Sequence, residues 1–315
     1  MDFNDFKEIF GFWSVNKHIE DAKFNYKMVH SKYKAVEQFK DRYKQNQFFL
    51  FRVVTQKQGF HTFAVSQFGS RLLPRRSDYK YGNVVAYLVK ENSPNSFVDA
   101  TLVEANISRQ DRDTYLEVDD MAQGAYWLYV DIEWQPTSFK NLQGDLAVSI
   151  NCYGVGDVRF SDDLAADFDQ VDALSSFLSA YCEHHHDQDD GVVNLDEAQF
   201  PGMLIWEESN YWETGYNFKL VHNNTDDQVM VLCHSHLDFK NGLIIRPSED
   251  ADGYVVSRSQ YAFSVPPHAK RGVFAKPYAG FGRGGQAHTP VVVACSKYEE
   301  NMQALRQNEL KEKKK

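Results

Sequence analysis

FHTFAVSQFGSRLLPRRSDYKYGNVVAYLVK, residues 60–90, decides how the rest of the chain is read. Phe60, Thr62, Ala64 and Ser66 alternate with His61, Phe63, Val65 and Gln67, the period-2 pattern of a strand with two chemically distinct faces. Residues 83–90, NVVAYLVK, read as a second strand. Between them runs a basic loop with Arg71, Arg75 and Arg76, punctuated by Pro74 and closed by Asp78, Tyr79 and Tyr81. Arginines and tyrosines in one short loop can clamp an anion bidentately. The competing reading pairs those arginines with carboxylates of their own domain.

Outward from this pair the strand patterns continue. FFLFRVV, FVDATLVEA, DTYLEV, GAYWLYVDIEW and DLAVSINCYG all fall between residues 47 and 160, each bounded by turn-forming residues. Short strands with no long helical stretch between them favour an antiparallel sandwich over alternating strand–helix units. In residues 125–134, Tyr126, Leu128, Val130, Ile132 and Trp134 form the expected inward face, with Ala125, Trp127, Tyr129, Asp131 and Glu133 on the other. Strand patterns return at Gly215 with YNFKLVHNNTDDQVMVLCHSHLDF, GLIIRP, a YAFSVPPHAKRGVFAK hairpin and TPVVVACS. At the start, Phe3, Phe6, Ile9 and Phe10 recur at helical spacing, and the alternation in WSVNKHIEDAKFNY suggests a short strand or extended exit. At the end, Tyr298, Met302 and Leu305 share a helical face ahead of KEKKK. The expected architecture is mainly β: antiparallel sandwiches at 47–160 and 213–296, a helical segment at 1–46, an acidic helical linker at 161–212 and a basic helix at 297–315.

Composition bounds the function. With 315 residues, 43% hydrophobic and 14% aromatic, the chain can bury two ordinary cores. A net charge of −10 and a pI near 5.6 argue against a nucleic-acid binder. No apolar run approaches the roughly 18 residues of a membrane helix. The acidic, aromatic start MDFNDFKEIFGFW lacks the basic and then apolar regions of a signal peptide. The expectation is a cytoplasmic protein without integral membrane contact. Cys152, Cys182, Cys233 and Cys295 form no CxxC pair and are expected as reduced thiols. The sequon at Asn223 has no context that would make it glycosylated.

Residues 160–218 hold no Lys or Arg. Leu164, Phe168, Val171, Leu174, Phe177, Leu178 and Tyr181 fit a helical stripe, with Asp162 and Asp163 placed as caps. Next, HDQDDGVVNLDEAQF puts His186, Gln188, Asp190, Asn194 and Glu197 at positions 1, 3, 5, 9 and 12 of an EF-hand-like loop, with Gly191 sixth and Val193 eighth. Asp190, Asn194 and Glu197 are the candidate ligands. His186 and Gln188 leave the loop short of anionic oxygens, so at most weak Ca²⁺ binding is expected, and no other cofactor. The His184–His186 run near Cys182 has no second pair at zinc-finger spacing and reads as a helix end. GFGRGG, residues 280–285, lies between β segments with no helix after it, a hairpin tip and no nucleotide loop.

Several stretches together resemble the calpain family. FNDFKEIFGFWSVNKHI, residues 3–19, is similar to the end of a calpain protease domain. RDTYLEV, GAYWLYVDIEW and VSINCYG look like consecutive strands of the C2-like sandwich that follows that domain. YNFKLVHNN and YAFSVPPHAKRGVFAK resemble the second β module of divergent protist relatives. Nothing matches the family's nucleophile-bearing QxGxCW stretch or its later His and Asn segments. The resemblance therefore implies a non-catalytic scaffold retained for binding other proteins, in a cytoskeletal setting such as the ciliary axoneme. Tubulin or microtubule-associated proteins are the implied partners. The alternative is a calcium- or phospholipid-responsive C2-like regulatory module, with Asp119, Asp120, Asp157, Asp162 and Asp163 as loop carboxylates. An enzyme ranks lowest, since no Ser-His-Asp or Cys-His arrangement has a local signature. Candidate partner contacts are Arg71, Arg75, Arg76 and Tyr79 together with Lys311, Lys313, Lys314 and Lys315, which an acidic filament would attract.

Overall fold

The computed structural model describes residues 22–31, 46–69, 79–134, 146–185, 193–194, 202–208, 214–234, 242–247, 253–257, 260–277 and 294–297. Among them are four antiparallel sheets and one α-helix, so the fold is mainly β, as the strand patterns require. Sheet I holds β1 (Ala22–Ser31), β8 (Leu146–Val155), β3 (Gly59–Gln67) and β6 (Asp113–Met121) in that order. Sheet II runs β5 (Thr101–Ser108), β4 (Asn83–Lys90), β7 (Gly124–Glu133), β2 (Asn46–Thr55), β9 (Val158–Phe160). Sheet III runs β10 (Val193–Asn194), β11 (Met203–Glu208), β12 (Asn217–Asn223), β17 (Lys270–Pro277), β14 (Gly242–Ile245). Sheet IV runs β15 (Gly253–Ser257), β16 (Gln260–Val265), β13 (Val229–His234), β18 (Ala294–Lys297). The helix α1 spans Gln170–His185.

Sheets I and II face each other across the first core. Its members alternate along their strands: Phe63 and Val65 on β3, Phe49, Phe51 and Val53 on β2, Leu128, Val130 and Ile132 on β7. The two-faced reading of residues 60–67 holds, with His61, Phe63, Val65 and Gln67 buried and Thr62, Ala64 and Ser66 half-buried on the opposite face. Gln67 closes the loop beyond it: its amide oxygen accepts from Gly82 N at 2.8 Å and its Nε2 donates to Gly82 O at 3.0 Å.

Strand β7 departs from expectation. Its inward set is buried as read, but Trp127, Tyr129, Asp131 and Glu133 are buried as well. Their face meets a second, larger core containing α1 and the residues Trp206, Tyr216, Phe218, Leu220 and Phe274 of the sheet III region. The helix begins later than read: Asp169 caps it, its Oδ1 accepting from Val171 N at 2.7 Å. Asp163 instead accepts from Leu50 N at 3.1 Å and Ala165 N at 3.0 Å. Small residues (Ala173, Ser175, Ser176, Ser179 and Ala180) are buried beside Leu174, Phe177 and Leu178, the signature of a helix covered on more than one side. It contacts β4 and β5 of sheet II and β12 and β17 of sheet III. The 161–212 stretch, expected as an acidic helical linker, holds the helix, packed against sheets II and III, and also strands β10 and β11 of sheet III.

Strand β12 alternates in the same way: Phe218 and Leu220 face the helix, while Val221 joins Met203, Ile205, Val231 and Phe263 in a third core between sheets III and IV. Within the 1–46 segment, residues 22–31 form strand β1, paired along its whole length with β8, in keeping with the strand or extended exit expected from the alternation in WSVNKHIEDAKFNY and longer than it. The helical patterns at 1–21 and 297–315 lie outside the described residues, apart from Lys297 closing β18.

Candidate functional site

Of the residues read as partner contacts, Arg71, Arg75, Arg76, Lys311, Lys313, Lys314 and Lys315 lie outside the described residues. Tyr79 is described, and it is 8% exposed in the first core, edge-on to Tyr81 with ring centroids 5.6 Å apart. Burial, then the neighbouring Tyr81, raise its phenol pKa. Its ring serves packing and is withdrawn from the docking surface. Of the EF-hand-like ligands, Asp190 and Glu197 lie outside the described residues, as do His186 and Gln188, while Asn194 sits in β10 opposite Trp206. The loop carboxylates have protein partners: Asp120 accepts from Gln58 Nε2 at 3.0 Å, and Asp157 pairs with Lys23 at 2.9 Å. No group of three metal-ligating side chains is found among the described residues. The sequon residue Asn223 is fully buried, its Nδ2 donating to Asp227 O at 2.8 Å and to Val265 O at 3.1 Å.

Two arrangements stand out. The first is a buried polar junction where the sheet II face meets the segment entering β12. Asp131, 0% exposed, pairs with Lys276 Nζ at 2.9 Å, and the Tyr216 hydroxyl donates to the other carboxylate oxygen. Tyr216 and Tyr129 share a hydroxyl contact at 3.2 Å, Gln170 Nε2 donates to Tyr129 at 3.0 Å, and the Tyr87 hydroxyl donates to Thr214 O. Burial raises all three phenol pKa values, with the Asp131 charge adding to the effect. Gly215 lets the chain approach this closely: its φ is +79° and a Cβ there would sit 2.4 Å from Val85 Cγ2. Lys276 Nζ also lies 5.5 Å from the Tyr216 ring centroid, a cation–π contact. The named groups at the junction bond to distant parts of the same chain and so join its layers.

The second arrangement is the outer face of sheet I. Register sets Phe24 opposite Tyr153, Tyr153 opposite Thr62, and Thr62 opposite Glu117. Two residues along β6, on the same side, Tyr115 faces Ala64. Phe24 is 63% exposed, Tyr115 49% and Tyr153 36%. Between them Asn151 Nδ2 donates to Ser66 Oγ at 3.2 Å, and Asn151 Oδ1 accepts from Ser149 Oγ at 2.8 Å. Among the described side chains, this face carries three large exposed rings beside the polar Asn151, Ser66 and Ser149, with acidic Glu117 at one side. The sequence contains part of the signal, since Tyr115 and Tyr153 occupy the solvent phase of their strands, away from the charged loops that hold the expected contacts.

No family model and no curated protein matches the chain. Among solved structures, the 7S globulin of Momordica charantia is similar at 8% identity over 84% of this chain and 75% of that one, with a TM-score of 0.14, which carries no argument about fold or function.

Proposed function

We propose that this chain is a non-catalytic scaffold that binds other proteins through the outer face of sheet I. One observation carries the reading: of the four large hydrophobic side chains exposed among the described residues, three lie on that single face. Tyrosine and phenylalanine on a flat, rigid sheet supply contact area at small entropic cost and are common interface anchors. The buried ionisable groups of the junction are consumed in holding layers together, which supports a structural role over a catalytic one. The calpain-like strand patterns supply the proposed setting, a cytoskeletal assembly such as the axoneme, with tubulin or a microtubule-associated protein as partner. The loop carboxylates already engaged by Gln58, Lys23 and backbone amides favour this reading over a calcium-responsive module.

The test is co-sedimentation with polymerised tubulin. Wild type is expected to pellet, and the triple variant Phe24→Ser, Tyr115→Ser, Tyr153→Ser to lose at least tenfold in apparent affinity with its melting temperature nearly unchanged, since exposed substitutions cost about 0.5 kcal/mol or less each. Equal pelleting of the variant removes the face from the proposal, and no pelleting of wild type removes tubulin. Casein incubated with the protein, with and without Ca²⁺, is expected to remain intact.

A further inference from the structure

Strand β5 ends sheet II, paired to β4 on one side. A slot of about 400 Å³ runs along it, lined by every residue from Leu102 to Ile107 and, across the gap, by Tyr181, His184 and His185 at the end of α1. Side chains of a regular strand alternate between faces, so a slot lined by six consecutive residues points to the strand's backbone edge, helped here by the register irregularity at Val103 between Glu104 and Leu102. The hydrogen bonding agrees. Ala105 N donates to the carboxylate of its own neighbour, Glu104 Oε1, at 3.1 Å, so this amide points away from β4 and is covered by a movable side chain. An edge amide covered by an adjacent carboxylate is protected against accidental pairing yet can be claimed by an incoming strand.

We propose that this slot takes an extended, lysine- or arginine-bearing peptide segment as an added strand on β5. Main-chain hydrogen bonds supply the affinity, as in other strand-addition complexes. A peptide carbonyl takes the Ala105 N–H, and the displaced Glu104 carboxylate pairs with a peptide cation. Charge selects the partner: α1 holds no Lys or Arg, and from Asp99 to Glu117 the chain carries five acidic residues (Asp99, Glu104, Asp111, Asp113 and Glu117) against two basic ones, Arg109 and Arg112. The slot would therefore repel an acidic tail and attract a basic one. This site adjoins sheet I, with Asn106 Nδ2 donating to Tyr115 O at 2.6 Å, but it uses none of the exposed rings and stands whether or not that face binds tubulin.

The probe is a fluorescein-labelled, acetylated and amidated octapeptide alternating lysine with threonine or valine, followed by anisotropy and by amide shifts in the full chain. Binding is expected to shift the amides of residues 102–107. Glu104→Lys is expected to weaken it at least tenfold. Ala105→Pro removes the outward donor at an edge position, where proline is tolerated, and is expected to abolish binding with the melting temperature little changed. The sheet I triple variant is expected to bind the peptide as wild type does. Undiminished binding by Ala105→Pro, equal binding of the glutamate counterpart peptide, or no binding at millimolar peptide overturns the proposal.

Discussion

Asp131 shows what one buried carboxylate decides in this protein. It is wholly shielded from solvent and held by Lys276 and the Tyr216 hydroxyl. Two opposite charges in such a place are roughly balanced against their desolvation, but removing one strands the other, a loss of about 3–5 kcal/mol. Lys276→Met is therefore expected to lower the free energy of urea unfolding by that amount. Adding Asp131→Asn to Lys276→Met is expected to recover much of it, because the stranded charge is then gone. A loss below about 1 kcal/mol for Lys276→Met would mean that the Asp131 charge is solvated after all. The sequence could place Asp131 on the second face of β7, opposite the first core. It could not show that this face is covered, because the cation that makes burial tolerable lies in a strand far along the chain.

At the scale of elements, alternation was a reliable guide where one face met solvent, as in residues 60–67, and an incomplete one where both faces were covered, as in β7. Period 2 identifies a strand and divides its faces, but an Asp or Glu on the second face mimics a solvent face when its partner is distant in sequence. Alternation alone marks Tyr115 and Tyr153 as outward-facing, but that they share one face with Phe24 is legible only from register, since pairing between β1 and β8 joins segments with no local signal connecting them. Strand β12 carries a further consequence. His222 stacks on Trp206, with ring centroids 6.2 Å apart, and its Nδ1 is buried without a hydrogen-bond partner. Burial, and then the Lys270 cation opposite it in register, lower its pKa from the ordinary 6.5. The unfolded chain thus takes up this proton before the folded one does. The stabilising contribution is complete above pH 6.5 and is lost as pH falls from there through the lowered folded value. The melting temperature is expected to fall between pH 7 and pH 5, and His222→Phe, which cannot take the proton, to flatten that slope. An unchanged slope in His222→Phe would assign the pH dependence to other groups.

The whole molecule is organised by the second core, in which α1 touches both sheet II and sheet III. Phe177 lies near its centre: its ring stacks on Phe97 at 5.7 Å and tilts against Tyr129 at 5.5 Å and Tyr87 at 6.5 Å. Ion pairs reinforce the other side, Lys270 to Glu183 at 3.1 Å and Arg271 to Asp172 at 3.7 Å, though their acidic members are about half exposed and contribute little. The helix then couples the sheets chiefly through apolar packing. Phe177→Ala is expected to cost about 3–5 kcal/mol, the usual loss for emptying an aromatic site in a close-packed core. The informative measurement is where the loss appears. Because Tyr87 and Tyr129 belong to sheet II while Phe218 and Phe274 of sheet III share the same core, hydrogen exchange is expected to quicken in residues 83–90 and 124–133 and also in 217–223 and 270–277. Faster exchange confined to one of these sheets would show that the layers open independently, with the helix belonging to one of them. A rise in both makes the stack one cooperative body, in which a partner bound at the outer face of sheet I stabilises layers it never touches.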